Sequence, residues 1–348
     1  MAGQGAVPYG GRMTETFAAV PEAPVPGADA RAAAEPQLAT YDHALYGTGK
    51  PWRGILAIIT FLVGFLILSL VFSVVAIVVD LATGATDLET LSSGVISFTP
   101  AVMLANNLSL AALIPLSWLL QRLFFGVRGG WLASVTGRFR WRWFGRLALV
   151  IVPVWIVYVG VQFVIEPTTA LRLDGSTIAM VLIVLFTTPL QSAGEEVGAR
   201  GFLQRAGGSW FRNPIAAFIA GTLISAALFA TAHFAADPWL IAYYVVFAVS
   251  ASLAARGTGG LEVPILVHVI NNLLLLVPVA LAGQVDDSFD RSAGTGSAFL
   301  LIPMGLCLAA AAFSIWWGRR SGVVARAPRP DKVRPKAPQY LPPSGPPQ

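Results

Sequence analysis

Apolar positions in this chain come in long unbroken runs, not in short alternations. Crossing a hydrocarbon core takes about 20 apolar residues at 1.5 Å rise per residue. Eight runs approach that length: 55–80, 98–121, 145–166, 177–206, 214–235, 238–256, 261–282 and 297–317. They predict an all-α, polytopic membrane protein with about eight transmembrane helices. The fourth run is the least regular, because its apolar part, 177–192, is short and ends on two glutamates. A turn sequence, Gly257-Thr258-Gly259-Gly260, separates the sixth and seventh. Outside the membrane domain at 51–318 the apolar pattern is lost. Residues 1–50 read as a disordered N-terminal tail, with neither the basic start nor the apolar core of a secretory signal. Residues 319–348 read as an extended Pro/Arg-rich tail.

Composition agrees with this picture. Charged residues make up 12% of the chain and hydrophobic ones 55%, against about 25% charged in a soluble domain. That balance excludes an ordinary soluble enzyme and a disordered chain. The single cysteine, Cys307, excludes a disulfide framework or a thiolate zinc cluster. Gly47-Thr48-Gly49-Lys50 resembles a phosphate loop but fails, because Pro51 stands where Ser or Thr is needed.

Charge placement adds sidedness. With eight spans and both termini cytoplasmic, all but Arg172 and Arg291 of the 23 basic residues fall on the cytoplasmic side. A net charge of +5 therefore reads as an attraction to anionic membrane lipids, with no nucleic-acid partner. Trp131, Trp141 and Trp143 among the arginines are expected to form an interfacial belt.

A few polar residues lie inside spans, where they are expensive and point to a functional site. Glu195, Glu196 and Arg200 sit in the fourth span, His233 in the fifth, and His268 and Asn272 in the seventh. Glu196 and Arg200 are four apart and can pair, whereas Glu195 is turned about 100° away and can face a cavity. His268 and Asn272 share the same spacing, as do Phe229 and His233, which predicts an apolar wall beside that imidazole. A partly desolvated glutamate suits a general base toward water. An asparagine amide can donate to a developing oxyanion. Two histidines and a carboxylate, here His233, His268 and Glu195, have the donor types for zinc. Taken singly, such residues more often serve interhelical hydrogen bonding, and as a set they also suit a non-enzymatic membrane protein, either a proton-coupled transporter or a protease-like scaffold.

In their order and spacing the motifs resemble the CPBP (CAAX-processing and bacteriocin-processing, or ABI) intramembrane endopeptidases, which include the type II CAAX prenyl endopeptidases. The Glu-Glu-x-x-x-Arg motif stands at Glu195–Arg200, Phe-x-x-x-His at Phe229–His233, and His-x-x-x-Asn at His268–Asn272. The resemblance covers a protease-like core at about 145–282. It implies that Glu195 and His233 activate water, that His268 and Asn272 complete the site and stabilise the oxyanion, and that Glu196, Arg200 and Phe229 support them. It also implies a multi-pass protein of a bacterial plasma membrane that cleaves a peptide or protein, including lipid-modified tails, near the cytoplasmic face. Zinc is compatible with the resemblance but not required by it. Val197, Gly198 and Ala199 are smaller than the residues usual in the family between the glutamates and the arginine, so a looser helix is expected there. One tension remains. Counted along its helix, His233 lies about 28 Å from the inner end and Glu195 about 16 Å. The two meet only if the fifth span begins below the surface or tilts.

Overall fold

The computed structural model describes residues 1–3, 5, 38–94, 97–165 and 171–330. Among the described residues, eight long apolar helices form the fold: α1 (Pro51–Thr83), α2 (Pro100–Phe125), α3 (Trp141–Ile165), α4 (Gly175–Gly208), α5 (Pro214–Thr231), α6 (Pro238–Thr258), α7 (Glu262–Ala282) and α8 (Ala298–Arg320). The protein is a polytopic all-α membrane protein. Local sequence sets many of the helix ends. Proline occupies the first turn of α1, α2, α5 and α6. There the missing N–H costs nothing and φ is already helical. The side chains of Thr99, Asp174, Asn213 and Asp237 cap the backbone N–H groups at the starts of α2, α4, α5 and α6.

Lipid tails are as apolar as leucine, so helices in a membrane associate through close packing and interhelical hydrogen bonds. Both are present. Gly194 lies so close to α2 that a Cβ there would stand 2.0 Å from the Leu110 carbonyl oxygen. A Cβ on Gly198 would stand 2.8 Å from Cζ of Phe61 on α1. Gly194 before the glutamates and Gly198 between Glu196 and Arg200 therefore admit α2 and α1. The looseness expected there takes a definite form, a π-helical stretch over Val197–Leu203. Between α4 and α5, Ser225 Oγ donates to the Ala199 carbonyl (3.0 Å), and Gln204 Nε2 donates to Thr222 Oγ1 (3.2 Å). Between α2 and α4, Asn107 Nδ2 donates to Thr187 and Thr188 (2.8 and 3.1 Å).

Two sequence expectations change. The stretch 38–50, read as the end of a disordered tail, is ordered. Leu38–Thr40 forms β1, which pairs antiparallel with β2 (Arg326–Pro328), Ala39 facing Ala327. Behind β1, Tyr41 and Leu45 are completely buried in a cluster with Val127, Leu132, Val135 and Leu261. The rest of the N-terminal tail (4 and 6–37) and residues 331–348 of the C-terminal tail lie outside the described residues. Trp143, expected in an interfacial belt, is instead buried, its ring 5.3 Å from that of Trp317 on α8.

Candidate active site

The α4–α5 pairing is antiparallel and brings Glu195 and His233 onto one cavity. Gly208 packs against Ala217, Gly221 against Gln204, and Ser225 reaches Ala199. The first turn of α5 thus runs past the end of α4. At the other end α5 stops at Thr231, so His233 lies in a turn beyond the helix and not within it as the apolar run suggested. From that turn its ring folds back. Nδ1 lies 2.7 Å from the Phe229 carbonyl oxygen, and the two rings are 4.6 Å apart. A carbonyl only accepts, so Nδ1 is the protonated nitrogen and Nε2 of the neutral ring is left with its lone pair. The two residues meet because the first turn of α5 extends beyond α4 and the His233 ring folds back from the turn. The imidazole also stacks on Tyr244 of α6, with ring centres 3.9 Å apart.

Glu196 is the centre of a buried polar chain. Its Oε1 accepts from Arg200 Nη1 at 3.0 Å and from His268 Nδ1 at 2.8 Å. The guanidinium of Arg200 is fully buried and lies 4.3 Å from the centre of the Phe229 ring and 5.6 Å from that of Phe247. Phe229 thus serves His233 on one side and Arg200 on the other. The second nitrogen of His268, Nε2, stands 3.6 Å from Glu195 Oε2. One imidazole therefore stands between the two glutamates, hydrogen-bonded to Glu196 and close to Glu195, an arrangement the i,i+4 pairing of Glu196 with Arg200 did not reveal.

Glu195 is only partly buried, as its 100° offset from Glu196 requires. Its Oε1 accepts from Gln191 Nε2 at 2.5 Å, while Oε2 is buried without a hydrogen-bond partner. Asn272 Nδ2 donates to Gln191 Oε1 and Ser192 Oγ, both at 3.3 Å. Gln191 therefore links the glutamate of the first motif to the asparagine of the third. Gln191, Ser192, Tyr244 and Phe247 were not singled out in the sequence. Gln191 carried one signal, its position four residues before Glu195, but the two aromatic residues read as ordinary apolar residues of a span.

Glu195, His233, His268, Asn272 and Phe229 all line one cavity of about 830 Å³. The volume lies within the range of about 300–1,000 Å³ usual for ligand sites. As metal donors, His233, His268 and Glu195 are of the right type, and Glu196 and the Phe229 carbonyl hold the outer nitrogens of the two rings as partners of metal-bound histidines do. Among the described residues, however, no three His, Cys, Asp or Glu side chains stand close enough together to hold an ion.

Comparison with known proteins bears on the same segment. Residues 175–274 match the family described as "Type II CAAX prenyl endopeptidase Rce1-like". That match takes in all three motifs. The "Uncharacterized protein YyaK" of Bacillus subtilis (strain 168) is 25% identical over 228 residues, 57% of this chain and 73% of that protein. No solved structure matches.

Proposed function

From the match of residues 175–274 to the Rce1-like family, we propose that the protein is an intramembrane endopeptidase of the CPBP type. The observation that carries this reading is Glu195 itself, which lines a cavity shared with His233, His268 and Asn272 and has an Oε2 without a hydrogen-bond partner. A carboxylate oxygen with no donor of its own is placed to accept a proton from water, and Gln191 fixes the rest of the group. In this reading Glu195 takes the proton as water attacks the peptide carbonyl carbon. His233, through its free Nε2, helps orient that water. His268, held by Glu196 and Arg200, presents Nε2 beside Glu195. Asn272 donates to the oxyanion once its long bonds to Gln191 and Ser192 exchange. This activation of water needs no metal. Zinc on His233, His268 and Glu195 remains an additional proposal. Bound there, it would supply Lewis acidity, and metal analysis of the purified protein with chelator treatment tests it.

The substrate class is a peptide or protein. The apolar part of the cavity, including Phe61, Phe65, Leu228 and Leu276, suits a lipid-modified tail as well as an apolar peptide segment. Relatedness to a Bacillus protein supports a bacterial plasma membrane. The deciding experiment compares the peptides of cells carrying the wild type with those carrying Glu195→Gln. Loss of a general base costs about 10²–10⁴-fold in rate, so uncleaved peptides accumulate in the variant while its insertion and thermal unfolding stay unchanged. Cleavage retained by a folded Glu195→Gln protein refutes the reading. Activity that depends instead on a pH gradient and on the same residues would establish a transporter.

A further inference from the structure

The cavity and the chain ends face opposite sides of the bundle. Both ends of the described membrane domain, β1 and β2, lie on the side where α1, α3, α5 and α7 begin. That side is closed. Tyr41, Leu45, Phe125, Leu132 and Leu261 form a buried layer across it. Polar ties hold the layer: Asp42 with Arg256 at 2.5 Å, Arg205 Nη1 with Gln121 Oε1 at 2.7 Å, and Arg140 with both oxygens of Glu262 at 2.7 and 2.8 Å. Among the described residues, none from the connections at 126–140, 209–213 or 259–261 lines the cavity.

The connections that line it belong instead to the opposite side. Besides residues within the helices, Phe98, His233, Phe234, Ser288, Phe289 and Arg291 line it, from the connections where α1, α5 and α7 end. Side-chain contacts help hold these connections in place. Phe98 stacks on Phe289 with ring centres 4.1 Å apart, and Arg291 Nε donates to the Tyr244 hydroxyl at 2.8 Å. The second contact runs on to His233 through its 3.9 Å stack on Tyr244.

Charge identifies the two sides. Lys and Arg collect in cytoplasmic connections, and among the described residues all basic side chains but Arg172 and Arg291 belong to the side of the chain ends or to α4. We infer that the site takes its substrate from the extracytoplasmic face, and that the bond it cleaves lies in an exported peptide segment or a tail presented outside the cytoplasm. This replaces the cytoplasmic-face access expected from the motifs. Cytoplasmic chain ends and cytoplasmic access cannot both hold for a cavity lined in this way. The claim about cleavage rests on the endopeptidase reading, whereas the claim about access does not.

Substituted cysteines separate the two. In a Cys307→Ala background, which removes the one native thiol, Ser288→Cys probes the mouth, Asn106→Cys the interior and Thr136→Cys the opposite connection. A charged, membrane-impermeant maleimide is applied to intact cells and to inside-out vesicles. Ser288→Cys and Asn106→Cys are expected to label in intact cells, and Thr136→Cys only in the vesicles. Labelled Asn106→Cys protein should also stop cleaving the peptides that accumulate in the Glu195→Gln cells. Labelling of Asn106→Cys only from the vesicle side, or from neither side, overturns the inference, as does labelling of Thr136→Cys in intact cells. If Asn106→Cys does not fold, Ser69→Cys on α1, which also lines the cavity, takes its place. The expected labelling pattern without any accumulated peptide would refute the endopeptidase reading and leave the access route standing.

Discussion

A single oxygen, Oε1 of Glu196, holds both Arg200 and His268. Such a chain binds its members together, because removing one partner of a buried ion pair leaves an uncompensated charge. Arg200→Met is accordingly expected to cost about 3–5 kcal/mol of stability, read as a lowered unfolding temperature in detergent. Arg200→Lys should rescue little, since a compact ammonium cannot spread over the Phe229 and Phe247 rings as a planar guanidinium does. The double variant Glu196→Gln/Arg200→Met should recover part of the loss. Gln191 acts through others, as a positioning residue. Its amide touches Glu195 and Asn272 at once, so Gln191→Ala should lower kcat by up to about 10²-fold while KM and the unfolding temperature barely move. At this scale the sequence was legible where a polar group sat alone among apolar ones, as with Glu195, His233 and His268. Tyr244 was not legible, because its role comes from the pairing of α5 with α6, and a tyrosine in a span carries no mark of what it stacks on.

Among the elements, α4 bears most of the constraint. It meets α2 through the glycine at 194 and α1 through the glycine at 198, on either side of the glutamate pair. Gly194→Ala places a methyl group against backbone that cannot yield. The expected outcome is loss of folded protein on size-exclusion chromatography. Gly160 on α3 is the contrasting case. Nothing stands within 4 Å of a Cβ there, so Gly160→Ala should leave stability unchanged or raise it by up to about 1 kcal/mol. The eight helices were legible because span length is a direct physical requirement. The early end of α5 was not. Its apolar run continues to 235, and the helix stops where the His233 ring turns back onto Phe229.

For the whole molecule, the closed side is as much a part of the design as the cavity. Tyr41 is fully buried, its hydroxyl bonded to the Leu132 carbonyl and its ring 4.9 Å from the Arg205 guanidinium. Tyr41→Ala should destabilise the protein by about 3–5 kcal/mol, the range for truncating buried aromatic side chains, and differential scanning calorimetry would measure it. Composition gave no warning of this, because a segment of a few residues has no periodicity to read and its burial depends on partners far along the chain.

The pairing of β1 with β2 also has a consequence in time. Leu38 leaves the ribosome before any span is made, and its partner Pro328 appears only after the eighth. Throughout synthesis the first strand must wait with its edge unpaired and Tyr41 unable to complete its final environment. Locking of the closed side is therefore the last event of assembly. A chain that stalls before α8 keeps that strand edge open, with no partner of its own sequence to close it.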